Sequence, residues 1–269
     1  MKPAARIPAD AGPGFDYLRR NDEREIDNPD LDDPRCFRYL ERMNTVLRLA
    51  RTVPPPARVL EVGSAQANVS LILAEAGYTV VALDLRLDFL RYARAKWERG
   101  PFWTAVGDGL RLPFRTGAFE VVVVGELVEH VDDPAALLTE AARVLAPAGV
   151  LVVTTPNGRC VGTDEPTFTT FRQRAAAGTT AAGGGPGAED HLFALTMGEL
   201  EALLPAQVQL LHRGYAVSRL INSRSHPVLR RLLGDVPPWL RRAAASLPLL
   251  GPRLSQQLVL AARRRAGAV

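Results

Sequence analysis

The sequence predicts a doubly wound α/β fold with a mostly parallel seven-stranded sheet, and three observations carry that expectation. Strand-length apolar runs alternate with amphipathic helical stretches from residue 58 onward. The central runs, Val121–Val124 and Val150–Val153, are apolar at every position, as strands covered on both faces must be. The 269 residues are 47% hydrophobic and 23% charged, an ordinary globular composition that excludes disordered and collagen-like chains. No apolar run approaches the roughly 18–20 residues of a membrane-spanning helix.

The elements follow in order. Residues 1–33 include the strongly acidic stretch NDEREIDNPDLDDP, whose Asp33-Pro34 end offers an N-cap and a proline at the first helical position. Phe37, Leu40, Met43, Leu47 and Ala50 then recur every three or four residues, a helix that ends before Pro54-Pro55-Pro56. Residues 1–53 are expected to form a helical lid over the domain at 54–269. Within that domain Arg58–Val62 reads as a strand, Ala67–Ala76 as a helix and Thr79–Leu83 as a strand. Leu87–Arg99 reads as a helix stopped by Gly100-Pro101, with Leu87, Leu90, Ala93 and Trp97 on one face. Phe102–Val106 and Phe119–Val124 are strands, Pro134–Leu145 a helix and Val150–Thr154 a buried strand. Residues 157–190 break the rhythm with AAAGTTAAGGGPGAED and read as a mobile loop. Thr196–Leu204 returns as a helix and Val208–Tyr215 as a strand. Amphipathic pieces over 217–250 form a helical insertion before the last strand, Gln257–Ala261.

The net charge of +4 hides an asymmetry. Residues 1–211 carry 22 Lys+Arg against 28 Asp+Glu, and residues 212–269 carry 11 Arg against Asp235 alone, so −6 and +10 sum to +4. The basic tail reads first as a solvated face, with an anionic surface as the alternative. Two cysteines, Cys36 and Cys160, are too few for a disulfide framework or a cysteine zinc site. The first residues have no apolar signal-peptide region, so a cytoplasmic chain is expected.

The chemistry concentrates at the ends of the strands, where doubly wound sheets bind their ligands. The first strand runs into Glu61-Val62-Gly63-Ser64-Ala65-Gln66-Ala67-Asn68, small residues that let a backbone approach a ligand closely. Asp84 closes the second strand, where an acid can accept from a ribose diol or simply cap its loop. To this point any adenosine-containing cofactor fits, nicotinamide dinucleotides included. Asp108 follows the third strand, placed to accept from an adenine amine. The fourth runs into Gly125-Glu126-Leu127-Val128-Glu129-His130-Val131-Asp132-Asp133-Pro134. The fifth region reads Arg143-Val144-Leu145-Ala146-Pro147-Ala148-Gly149-Val150-Leu151, then Thr154-Thr155-Pro156-Asn157.

This set, in this order, resembles the class I S-adenosylmethionine-dependent methyltransferases, closest to the branch acting on small molecules in quinone and natural-product biosynthesis. The resemblance is dense over about 57–157. It implies that Glu61, Gly63, Ser64 and Ala65 line the methionyl end of S-adenosylmethionine, with Glu61 alternatively serving the neighbouring helix. It also implies that Asp84 holds the ribose, that Leu85 packs on the adenine, and that Asp108 with the Gly109 amide reads the adenine edge. Gly125 and Glu126 would sit near the methionine amino group. Apart from the resemblance, Tyr17 of the expected lid is read as touching the cofactor, with surface packing the equal alternative. The family's turn is G-x-G-x-G, whereas this chain has Ala65 and Ala67, which fit easily only at negative φ.

Methyl transfer from a sulfonium needs alignment, a dry pocket and, for a phenol or ammonium acceptor, a base. Histidine serves without special tuning. His130 beyond the fourth strand and His191 after the mobile loop are the candidates, with a packing role the alternative for each, and His212 and His226 read as structural. No metal is assigned. A small-molecule acceptor is expected rather than nucleic acid, since basic and aromatic residues are not interleaved. Membrane contact through 226–250 is the lesser alternative to packing beside the acceptor pocket or in a homodimer. Against methyl transfer to an O or N atom stand two alternatives, an inactive cofactor-binding accessory protein and an NAD-dependent oxidoreductase.

Overall fold

The computed structural model describes residues 13–23, 26, 34–178, 191–218 and 251–265. Two helices, α1 (Pro13–Asp22) and α2 (Pro34–Ala50), precede the alternating part. There follow β1 (Arg58–Val62), α3 (Asn68–Glu75), β2 (Thr79–Asp84), α4 (Leu87–Lys96), β3 (Phe102–Val106) and β4 (Phe119–Gly125). The chain continues with α5 (Pro134–Val144), β5 (Leu145–Pro156), α6 (Phe168–Ala176), α7 (Met197–Ala202), β6 (Val208–Ser218), a short α8 (Gly251–Leu254) and β7 (Ser255–Arg264).

Seven strands among the described residues form one sheet in the order β3-β2-β1-β4-β5-β7-β6. The first five run parallel, and β7 lies antiparallel between β5 and β6. Chain order reverses between β1 and β4, where doubly wound sheets open a crevice at the carboxyl ends of their strands.

Alternation along the buried strands builds two cores. On β4, Val121 and Val123 join Val59, Val80, Val150 and Val152 on one face, covered by α2, α3 and part of α4. Val122 and Val124 join Leu60, Leu151 and Val153 on the other, covered by α5 and α7 through Leu137, Leu138 and Leu200. Successive side chains of a strand point to opposite faces, so an all-valine run suits a strand buried on both.

Several expectations are corrected. Helix α4 ends at Lys96, because Trp97 is extended (φ −63°, ψ 128°), and Leu87 is 51% exposed rather than part of the buried face. The stretch 157–190 is not loop throughout. Thr167 caps α6 by accepting from the Thr170 amide, and Phe168 and Phe171 pack on buried Phe193. Residues 179–190 lie outside the described residues, as do 219–250 with most of the expected helical insertion. Positions 217 and 218 finish β6.

Candidate active site

The sheet order places the singled-out residues side by side. Asp108, Asp84, the Gly63–Ala67 turn and Gly125-Glu126 follow β3, β2, β1 and β4, four adjoining strands, along a single edge of the sheet. The turn after β1 is tied to β2: the Gly63 and Ser64 amides donate to the Leu83 carbonyl at 2.8 and 3.0 Å, and the Ala65 amide donates to Asp84 Oδ2 at 2.9 Å. Asp84 Oδ1 accepts from the Arg86 amide at 2.9 Å. Burial pushes the Asp84 carboxyl upward, and these amide bonds hold it back.

The turn keeps a glycine-like backbone without its glycines. Gly63 has φ 70°, and Ala65 and Ala67 have φ 41° and 54°. The negative φ at which alanine would fit easily is therefore not what the turn adopts. A left-handed residue with a Cβ costs roughly 1–2 kcal/mol, so this turn is strained at two positions.

Glu61 is tied to the helix that follows the turn. Its Oε2 accepts from the Ser70 amide at 3.1 Å and the Ser70 hydroxyl at 2.6 Å, so the carboxylate is engaged by the first turn of α3. Burial raises its pKa to about 7 against those bonds. Leu85 is 68% exposed and Asp108 is exposed, its Oδ1 accepting from the Leu110 amide at 2.9 Å. Gly109 has little room behind it, since a Cβ there would lie 2.8 Å from Leu137 Cδ1. Tyr17 and Ala65 both pack against the cluster of Phe15, Leu18 and Tyr92, which brings α1 to the turn.

At the β4 end Glu126 also has positive φ, 52°. Its Oε2 meets Arg42 of α2 at 3.1 Å and accepts from Gln257 Nε2 at 2.9 Å. Glu129 is fully buried and accepts from the Thr155 hydroxyl at 3.0 Å. Burial first, then the neighbouring Glu126 charge, hold its carboxyl well above the ordinary range.

The two candidate histidines come together, with ring centroids 4.8 Å apart. His191 Nδ1 lies 2.9 Å from Glu165 Oε1, an orienting partner that sequence reasoning missed. Burial opposes the imidazolium, yet the Glu165 bond and the Glu129 and Glu165 charges outweigh it and raise the His191 pKa. His130 is exposed at the end of a short 3₁₀ turn, Val128–His130. Ligand atoms of Glu129, His130 and His191 lie within 4.8 Å of one another, a donor set able to hold a cation that the sequence reading did not assign. His212 lies on β6, where burial lowers its pKa, and His226 falls outside the described residues.

The residues fit an aminoacyl-bearing nucleoside. Ser64 Oγ and Glu126 Oε1 are buried without a hydrogen-bond partner among the described residues, which suits a ligand carrying an ammonium or hydroxyl groups. Each Asp84 oxygen accepts one amide bond and retains capacity for a hydroxyl donor.

Residues 60–153, from β1 to β5, match the family described as a methyltransferase domain. A demethylmenaquinone methyltransferase of Parafrankia sp. (strain EAN1pec) is 34% identical over 127 residues, 40% of this chain and 50% of the relative. A ubiquinone biosynthesis O-methyltransferase of Xanthomonas axonopodis pv. citri (strain 306) is 31% identical over 119 residues, 40% of this chain and 46% of the relative. The chain thus spans about half the length of the curated relatives it matches. Among solved structures, an S-adenosylmethionine-dependent methyltransferase from Mesorhizobium loti superposes with TM-score 0.53 at 17% identity, covering 83% of this chain and 98% of that one. The [4+2]-cyclase SpnF gives 0.56 at 19%, covering 84% and 80%. These last two likenesses concern the fold. Residues 60–153, which carry the whole row of strand ends described above, thus match a methyltransferase-domain family, and the sheet that contains them has the fold of that Mesorhizobium loti methyltransferase.

Proposed function

We propose that the protein transfers a methyl group from S-adenosylmethionine to an oxygen or nitrogen of a small molecule. The observation that carries this reading is the row of Asp108, Asp84, the Gly63–Ala67 turn and Gly125-Glu126 on adjoining strand ends, beside a histidine oriented by a carboxylate. When bound, S-adenosylmethionine supplies an electrophilic methyl group on a positively charged sulfur. Asp84 accepts the ribose hydroxyls, Leu85 covers the adenine, and Asp108 with the Gly109 amide meets its edge. Ser64 and Glu126 face the methionyl end, and Tyr17 borders the cofactor from α1. His191, held by Glu165, takes the acceptor's proton through Nε2, and His130 flanks it. Glu129, whose Oε1 has no hydrogen-bond partner among the described residues, stands beside both histidines and is available to an acceptor hydroxyl.

Hydroxyl acceptors of the quinol type head the test panel, because curated relatives carry the names of quinone methyltransferases. We place the protein in the cytoplasm: among the described residues no helix is long and apolar enough to cross a membrane. The test is calorimetric titration with S-adenosylhomocysteine and with NAD, followed by mass detection of methyl transfer to a panel of phenols, quinols and amines. Binding of S-adenosylhomocysteine with transfer to one class is the expected result. Binding of NAD alone would overturn the reading, and cofactor binding without transfer would point to an accessory protein.

A further inference from the structure

Asp22 and Lys96 form a buried ion pair that the methyl transfer does not use. Lys96 is 5% exposed and Asp22 1%. The Lys96 ammonium donates to Asp22 Oδ2, to Asn68 Oδ1 and, at 2.9 Å, to the main-chain oxygen of Gln66. Those three bonds use all three of its protons. Asp22 accepts twice more, from the Tyr92 hydroxyl at 2.6 Å and from Asn68 Nδ2 at 2.9 Å. Asp22 ends α1, Lys96 ends α4 and Asn68 begins α3, so three helices meet at one charge pair.

The bond to Gln66 gives this cluster a bearing on the site. Gln66 stands between Ala65 and Ala67, the two left-handed alanines of the turn. Ala67 is the N-cap of α3 and provides no side-chain cap; Glu61 accepts from the Ser70 amide in its place, which fastens the helix but not the peptide of Gln66. An ammonium from another helix grips that middle peptide.

We propose that Asp22 and Lys96 are positioning residues that hold the cofactor turn in its glycine-like conformation and thereby couple docking of α1 to cofactor affinity. The proposal rests on the reading of Gly63–Ala67 as the cofactor turn. If α1 leaves, Asp22 leaves with it, and the Lys96 ammonium loses the one carboxylate that accepts a hydrogen bond from it. A buried charge stripped of its partner is strongly disfavoured, so the cage opens and Gln66 is released. Linkage makes the coupling reciprocal: a ligand that favours this turn also favours docked α1. Lysine suits the post better than arginine, since a compact ammonium meets three oxygens from three directions and a planar fork does not.

The test uses the full chain, calorimetry with S-adenosylhomocysteine, thermal melting and amide hydrogen exchange. Asp22→Asn should weaken binding roughly tenfold and speed exchange over residues 63–70. Asp22→Leu/Lys96→Met replaces the pair with apolar groups of similar volume, which leaves no unpaired buried charge but removes the hold on Gln66; affinity should stay reduced. Adding Ala65→Gly/Ala67→Gly to Asp22→Asn should recover most of the loss, because glycine needs no external hold there. A Leu/Met pair variant with wild-type melting and wild-type affinity overturns the proposal. If the wild type does not bind S-adenosylhomocysteine, the cofactor reading fails by itself. Exchange over 63–70 then decides the latch: unchanged rates in Asp22→Asn overturn it, and faster rates uphold it.

Discussion

Strain and displaced proton affinities mark the site at the scale of single residues. Ala65 and Ala67 hold positive φ against their methyl groups, so Ala65→Gly/Ala67→Gly should stabilise the protein. Relief of about 1 kcal/mol at this chain length raises the melting temperature by about 2–4 °C, which a calorimetric scan reads. Glu61 keeps its proton to about pH 7 when folded, whereas its ordinary value is 4.5. Between those values the folded state binds more protons than the unfolded chain, so stability falls as pH rises. The raised pKa of His191 adds in the same direction, giving stability below its ordinary value that is lost as pH climbs through the folded one. Melting temperature should therefore decline from about pH 5 to about pH 7.5, and Glu61→Gln, which keeps an acceptor for Ser70, should flatten part of the decline. Glu165→Gln removes the bond and charge that raise His191, so the acidic limb of kcat/KM should move to lower pH and the rate should fall. Asp84, Asp108 and Gly125 were legible as site candidates because each stands at a strand end in a recurring order. Glu165 was not, since it lies 26 positions before His191 and no local spacing pattern pairs the two. The signs of φ at Ala65 and Ala67 were not legible either, because alanine normally argues for the opposite.

At the scale of elements, strands were the most legible part. A run such as Val121–Val124 admits few environments other than a doubly covered strand, and Arg58–Val62 and Phe102–Val106 have the bounds read from pattern. Helix ends were less so: α4 stops at Lys96 where the periodicity runs on, because Lys96 is drawn into the Asp22 cage and the Trp97 indole nitrogen donates to the Gly100 carbonyl at 2.9 Å. Helix α7 is short and depends on its start. Thr196 Oγ1 accepts from the Glu199 amide at 3.3 Å, and Glu199 Oε2 accepts from the Thr196 amide at 2.8 Å. The other Glu199 oxygen accepts from the Thr169 amide of α6 at 2.8 Å, so one carboxylate fastens two helices that flank the segment carrying His191. Thr196→Ala should cost about 1 kcal/mol in urea unfolding, with a larger loss of protection in α7 than in the β1–β5 core.

For the whole molecule, the seven-stranded order was legible in its parallel half, where strand and helix alternate along the chain. The remaining order follows from placement that no local pattern encodes: β7 comes after β6 in sequence yet lies between it and β5. Buried Leu258, Val259, Leu260 and Ala261 contribute to both cores from that position. Truncation before Ser255 should abolish the cooperative thermal transition, whereas removal of 266–269 should leave it intact; scanning calorimetry separates the two. The placement also sets a timetable for synthesis. Until residues 255–264 leave the ribosome, β5 has an open edge and β6 has no strand to pair with among the described residues. The nascent chain carries that exposed edge from the completion of β5 at Pro156 until β7 is complete at Arg264, so a product stalled or truncated in that interval would burden the chaperones that shield unpaired strands.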